Sequence, residues 1–116
     1  MLMYELTKRF KGMKFGDAWK DETFQDLYFD CGVILLSNES DCFDSFDNIV
    51  YKYSDLLHNS DDMKNSVLRD VLDTIEILEI RINNGRFGFE FQIVIDCSYD
   101  EFVHIIDNYF KINYMI

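Results

Sequence analysis

Hydrophobic and polar residues alternate most regularly between residues 86 and 96. Phenylalanine or isoleucine occupies every second position from Phe87 to Ile95, and the positions between them are mostly polar or glycine. A period of two is typical of a β-strand with one buried face. Ile80 and Ile82 continue the same alternation on the other side of the segment 83–85, Asn-Asn-Gly. The residues of this segment tolerate the positive φ of a tight turn. The pattern predicts a β-hairpin over about 75–96.

Two other segments have the spacing of amphipathic helices. Ser98 precedes Glu101 by three residues, which is the arrangement of a capping box, and apolar residues then recur at helical spacing. A helix over about 98–110 is expected, with the apolar tail after it docked or forming a short strand. Residues 63–74 carry an apolar stripe behind the cap candidates Ser60 and Asp61 and predict another helix.

Residues 41–58 predict a third helix with two distinct faces. On a helical wheel the apolar side chains cover one arc of about 140°, as a core-facing stripe does. These residues are Phe43, Phe46, Ile49, Val50, Tyr53, Leu56 and Leu57. The opposite arc is acidic around one tyrosine. We call it the acidic face; it consists of Asp44, Asp47, Tyr51, Asp55 and His58.

The N-terminal third of the chain has weaker patterns. Residues 2–10 alternate weakly and predict an edge strand, with lysines that guard the edge. Residues 11–24 contain two glycines and no clear period, which favours a loop. Residues 27–36 are mostly apolar and end at a polar turn, which predicts a buried central strand.

These elements follow one another in the approximate order β-β-α-α-β-β-α. The chain has 116 residues, of which 48% are hydrophobic, with no proline and no repeat. We therefore expect residues 1–116 to form a single small α+β domain, with a mostly antiparallel sheet and about three helices on one face.

The net charge of −11 restricts the partners of the chain. Residues 1–20 carry a net charge of +3, whereas residues 21–62 carry −10. A field of this sign repels phosphate and attracts cationic proteins, so we expect a basic protein partner and no direct binding of nucleic acid. The alternative is that the charge only keeps a small protein dissolved.

Cysteine usage and hydropathy predict the compartment. The three cysteines are odd in number and far apart, which is typical of reduced thiols in the cytoplasm. No apolar run approaches the ~18 residues that a membrane span needs, and the first residues are charged where a signal peptide would be apolar. We expect a cytoplasmic protein that does not enter a membrane.

The residue types that carry catalysis and metal binding form no motif. His58 would lie at the C-terminus of the predicted helix, where its charge suits the helix dipole, and His104 is expected on an exposed helix side. Asp41, Asp44 and Asp47 lack the glycine and the final glutamate of a calcium loop. We expect no catalytic residue, no cofactor and no metal, and therefore no enzyme.

The acidic face is the candidate partner-binding site. An exposed tyrosine among carboxylates combines a rigid aromatic anchor with steering charge. Asp44, Asp47 and Asp55 also lack cationic partners at i,i+4 spacing, and their like charges cost a few tenths of a kcal/mol per pair. The alternative is an ordinary solvated helix face.

Three functional hypotheses remain, beside the open alternative of a structural or oligomerisation module that pairs between chains through a strand edge or the apolar C-terminal tail. The first is a monomer, or a weak dimer, that binds a basic toxin and blocks its active site. Bacterial immunity proteins are antitoxins that neutralise nuclease toxins in competition between bacteria, and they too are small, acidic and ordered. No residue motif ties the chain to one of their families. The second is a phage-encoded inhibitor of a host defence nuclease, of the anti-CRISPR or nucleic-acid-mimic type. The third is a small enzyme or ligand-binding domain whose site is assembled from scattered residues.

Overall fold

A three-stranded sheet forms around the predicted hairpin. The computed structural model describes residues 3–85 and 88–116, so Arg86 and Phe87 of the predicted alternation lie outside the described residues. The strands are β1 (Val33–Leu35), β2 (Ile77–Gly85) and β3 (Gly88–Ile95). β2 and β3 pair antiparallel, which confirms the hairpin. The expected position of its turn is wrong, because residues 83–85 belong to β2 and pair with β3.

The sheet is mixed, with the strand order β1-β3-β2. β1 pairs parallel with β3 and places Ile34 opposite Ile93. The prediction of a mostly antiparallel sheet therefore holds only for β2 and β3. The prediction of a central strand at 27–36 is wrong, because β1 has three residues and lies at an edge, while β3 is central.

The main hydrophobic core lies against one face of the sheet. Ile34 and Ile80 are the cross-strand partners of Ile93, and all three are buried in one cluster with side chains from the helices. Burying a side chain of this size stabilises the fold by about 1.5–3 kcal/mol. Val94 is also buried, but it alternates to the opposite face and lies outside this cluster.

Six α-helices occur among the described residues, where about three were predicted. They are α1 (Met3–Phe10), α2 (Phe15–Ala18), α3 (Glu22–Cys31), α4 (Cys42–Val50), α5 (Asp61–Leu72) and α6 (Tyr99–Tyr114). The element order is therefore α-α-α-β-α-α-β-β-α, and the predicted order β-β-α-α-β-β-α is wrong in its N-terminal part. The molecule is a small compact α+β domain.

The predicted edge strand at 2–10 is helix α1. Leu6 and Phe10 are four residues apart and both buried, whereas Tyr4 is exposed, so the segment has one apolar helical stripe that the weak alternation concealed. α1 packs beside β2, where the Thr7 hydroxyl donates to the carbonyl of Ile80 and accepts from the Ile80 N–H. The helix thus covers the outer edge of the sheet.

The predicted loop at 11–24 contains regular structure. Asp21 caps α3 by accepting a hydrogen bond from the backbone N–H of Thr23 at 2.9 Å. Within the apolar run, Gly32 lies between the end of α3 and β1. Its backbone passes so close to the carbonyl oxygen of Tyr28 that a Cβ at this position would collide with that oxygen. The close approach requires glycine and divides one apolar run into a helix end and a strand.

The predicted helix at 41–58 ends at Val50. A single 3-10 turn covers Tyr51–Tyr53, and turns continue to Asn59. The Ser54 hydroxyl donates to the carbonyl of Tyr51 at 2.8 Å, a local bond that competes with helical continuation. The apolar arc is nevertheless turned inward: Phe46, Ile49, Val50 and Leu57 are buried and Phe43, Tyr53 and Leu56 are half-buried.

The two remaining predicted helices are present. Ser60 caps α5 by accepting from the N–H of Met63, and Ser98 caps α6 by accepting from the N–H of Glu101. The Ser98 hydroxyl also donates to the Glu101 carboxylate at 3.0 Å. α6 continues to Tyr114, so the predicted tail is the last turn of this helix instead of a strand.

Candidate functional site

Tyr51 stands on the surface at the end of α4. Its side chain is 79% exposed, because the 3-10 turn directs the neighbouring Tyr53 toward α6 and leaves Tyr51 outward. Large apolar and aromatic surface costs free energy when it faces water without a partner. Its exposure makes Tyr51 available as an anchor.

A groove of about 420 Å³ lies beside Tyr51. Three residues of the predicted acidic face line it: Asp47, Tyr51 and Asp55. We call it the Tyr51 groove. Asp44 and His58 are exposed but are not among its lining residues, so the structure gathers only part of the acidic face around one concavity.

Helix α5 supplies groove residues that the helical wheel missed. Asp61 and Lys64 face the groove from α5, and Asn59 closes it from the preceding turn. The Lys64 Nζ lies 2.8 Å from the Asp47 Oδ1. Asp47 thus has a cationic partner after all, from outside its own helix. A helical wheel shows the residues of one helix only, so it could not reveal a contact between Asp47 on α4 and Lys64 on α5.

His58 does not cap a long helix as predicted. It lies in the turn after α4 with a φ of 51°, and Asn59 follows with a φ of 53°. Left-handed backbone is uncommon for residues other than glycine, and two in succession reverse the chain direction before α5. The turn holds the imidazole in solvent beside the Tyr51 groove.

The second cation near the acidic face is held away from it. The Lys52 Nζ lies 2.7 Å from the Asp107 Oδ1, and Tyr53 donates to the same oxygen at 2.6 Å. Partial burial raises the pKa of Asp107, but the hydrogen bonds from Lys52 and Tyr53 outweigh burial and hold the pKa below its usual value. The hydrogen bond to Asp107 likewise raises the pKa of Lys52.

The remaining carboxylates dominate the electrostatics of the groove. Asp44, Asp55 and Asp61 are exposed and form no salt bridge with any described residue. Their field is strongest within about one Debye length, roughly 8 Å at physiological salt. The groove therefore favours a cationic group next to an aromatic contact.

The thiols of Cys42 and Cys97 are poorly suited to nucleophilic chemistry. Cys42 and Cys97 are free and buried. Burial raises the pKa of the Cys42 thiol to about 12 and that of the Cys97 thiol to about 11, so little thiolate exists near neutral pH. Among the described side chains, no group of three His, Cys, Asp or Glu could hold a metal ion.

Comparison with known proteins does not assign the site. No protein-family model, curated protein or solved structure matches the chain. Within the described ranges 3–85 and 88–116, no helix is long and apolar enough to cross a lipid bilayer. Function is therefore inferred from the geometry and charge of the groove.

Proposed function

We propose that the protein binds a basic protein partner through the Tyr51 groove and the rest of the acidic face, and thereby blocks the active site of that partner. The expected partner is a nuclease toxin, and the chain acts in the cytoplasm as an immunity protein, as a monomer or weak dimer. The observation that carries the proposal is the exposed ring of Tyr51 beside the uncompensated carboxylates of Asp55 and Asp61.

The contact has two separable parts. Tyr51 supplies a flat, amphipathic surface with few rotatable bonds, which is typical of residues that dominate binding energy at interfaces. Asp44, Asp55 and Asp61 supply attraction to Lys and Arg of the partner, which raises the association rate more than it lengthens the complex lifetime. Loss of Tyr51 should therefore speed dissociation, and loss of a carboxylate should slow association.

Affinity capture from the native host tests the proposal. Tagged wild-type chain and the variants Tyr51→Ala and Asp55→Lys are incubated with lysate, and retained proteins are quantified by mass spectrometry. A basic protein should be retained by wild type and reduced on both variants. Tyr4→Ala and Asp26→Lys are the matched controls, because both residues are exposed and lie on other helices.

The captured partner is then purified for calorimetry and for an activity assay. We expect each variant to weaken binding at least about tenfold and to relieve inhibition. Equal affinity of wild type and both variants would exclude this surface, and binding without inhibition would exclude active-site blockade. Competition between DNA or RNA and the chain would point to the phage-type inhibitor that imitates nucleic acid.

A further inference from the structure

A second concave surface lies between the N-terminal helices and α5. It encloses about 480 Å³ and is lined mainly by aromatic and aliphatic side chains from α2, α3, α4 and α5. We call it the aromatic cleft. It shares no lining residue with the Tyr51 groove. Its volume is within the range of small-molecule sites, which are concave and mostly apolar with a few placed polar groups.

The aromatic side of the cleft is built from rings in mutual contact. The ring of Trp19 lies 5.0 Å from that of Tyr28 and 5.7 Å from that of Phe29, both in edge-to-face geometry. Phe29 forms the rim and is 72% exposed, which is unusual for a phenylalanine without a partner. Contacting rings hold each other in place, so this wall is preorganised for a planar apolar group.

Arg69 contributes a cationic group to the cleft. Its guanidinium carbon lies 4.1 Å from the centroid of the Trp19 ring, which is a cation–π contact. No described side chain forms a salt bridge with Arg69. The neighbouring Asp70 instead accepts a hydrogen bond from Tyr109 at 3.0 Å. The guanidinium thus lies over the Trp19 ring, and no carboxylate that the structure describes pairs with its donors.

We propose that the aromatic cleft binds a small molecule that has a planar aromatic ring and a carboxylate. Arg69 donates two parallel hydrogen bonds to the carboxylate, because the two oxygens of a carboxylate match the spacing of the guanidinium N–H groups. The ring packs against Tyr28 and Phe29 at the cleft wall. Because Arg69 already covers the face of Trp19, a cationic ligand finds that position occupied.

The overall charge of the protein distinguishes a carboxylate-specific site from a merely apolar one. With a net charge of −11, and with Asp62 and Asp70 in the lining of the cleft, the general field disfavours anions. A cleft that binds only through apolar contact would therefore prefer a neutral or cationic aromatic compound. A preference for the carboxylate requires a specific donor, and Arg69 is the only cationic side chain among the lining residues that the structure describes.

Trp19 is the only tryptophan in the chain, so its indole N–H gives one identifiable NMR signal at the cleft. The full chain is titrated with 2-naphthoate, with 2-naphthylmethanol and with 2-naphthylmethylammonium, which share the ring and differ in charge. We expect 2-naphthoate to shift the indole signal and to bind roughly tenfold more tightly than the alcohol, as for a hydrogen bond to a charged group. The ammonium compound should bind most weakly.

Variants separate the two parts of the site. Arg69→Gln should reduce the affinity for 2-naphthoate to that for the alcohol and leave the alcohol unchanged, whereas Phe29→Ser should weaken both probes by a similar factor. Lys20→Gln removes the same charge outside the cleft and should change neither, and circular dichroism verifies that each variant is folded. Equal binding of carboxylate and alcohol by wild type, preference for the ammonium compound, or no shift of the Trp19 signal would each overturn the proposal.

Discussion

The Thr7 hydroxyl makes two hydrogen bonds with the backbone of Ile80, donating to the carbonyl oxygen at 3.0 Å and accepting from the N–H at 3.1 Å. One side chain of α1 thus satisfies both main-chain groups of Ile80 at the outer edge of β2. An unpaired strand edge is a template for association with another chain, so the contact both stabilises the sheet and closes its edge. The sequence pattern predicted an edge strand at 2–10, whereas this segment is helix α1, which covers the edge of β2.

Replacing Thr7 by Val tests this contact. The change keeps the shape of the side chain but leaves the N–H and C=O of Ile80 without their partner, so we expect the free energy of unfolding to fall by about 1–2 kcal/mol. Urea denaturation followed by circular dichroism measures the change. Thr7→Ser keeps the hydroxyl and should lose clearly less. Equal losses for Val and Ser would show that the hydroxyl contributes nothing.

Gly32→Ala should strongly destabilise the junction of α3 and β1. The backbone at Gly32 has φ −65° and ψ 94°, which alanine can adopt, so the cost comes from the added Cβ beside the Tyr28 carbonyl. We expect a loss of roughly 2–4 kcal/mol, or failure to fold. Gly12→Ala is the control, because Gly12 has a φ of +83° but no neighbouring atom within 4 Å, and should cost about 1 kcal/mol. A smaller loss at Gly32 than at Gly12 would contradict the steric explanation.

The folded protein should protect Cys42 and Cys97 from alkylation. Because burial raises the pKa of Cys42 from 9.0 to about 12, its thiolate fraction at about pH 8 falls roughly a thousandfold. Brief treatment with iodoacetamide, followed by peptide mass spectrometry, measures labelling at each thiol. Labelling in concentrated urea should be fast at both positions. Rapid labelling of Cys42 in the native protein would show that its pocket opens.

Tyr109 should contribute to stability below the alkaline range and lose this contribution above it. Burial and the hydrogen bond to Asp70 favour the protonated phenol and raise the pKa of Tyr109 from 10.0 to about 12. A group whose pKa is raised by folding stabilises the fold fully below its unfolded pKa, and the effect is lost as the pH rises from 10.0 to about 12.

Urea midpoints measured across this range for wild type and Tyr109→Phe test the assignment. The variant should be slightly less stable near neutral pH, because it lacks the bond to Asp70, and should lose less stability between pH 10.0 and about 12. Tyr4→Phe is the control, since Tyr4 is exposed on α1. Parallel pH curves for wild type and Tyr109→Phe would refute the role of Tyr109.

Local patterns predicted the elements that depend on neighbouring residues. The hairpin was visible because the alternation lies within one continuous segment, although the turn was expected at 83–85 and these residues belong to β2. The Ser60 and Ser98 caps act over three residues. The prediction of a strand over 27–36 was wrong because apolar content alone does not distinguish the end of a helix from a strand. The decisive fact is the approach of Gly32 to the Tyr28 carbonyl, which only the folded backbone reveals.

The candidate sites were predictable only where one element supplies them. Tyr51 was recognised because it is opposite the apolar stripe of its own segment. Its neighbours Asp61 and Lys64 arrive from α5, and the stack of Arg69 on Trp19 joins residues that are fifty positions apart. Contacts of this kind depend on how helices pack, and no periodicity along the chain encodes them.

The parallel pairing of β1 with β3 has a consequence for the order of folding. Only two residues separate the end of β2 from the start of β3, whereas about half of the chain separates Val33 from its partner Gln92. Closing the larger loop costs more chain entropy, so the hairpin should assemble early and β1 should dock late. β1 thereby joins the first half of the chain to the second. Fragments produced by a cut after Asn59 would each lack a strand partner, and would recover the sheet only by reassociating.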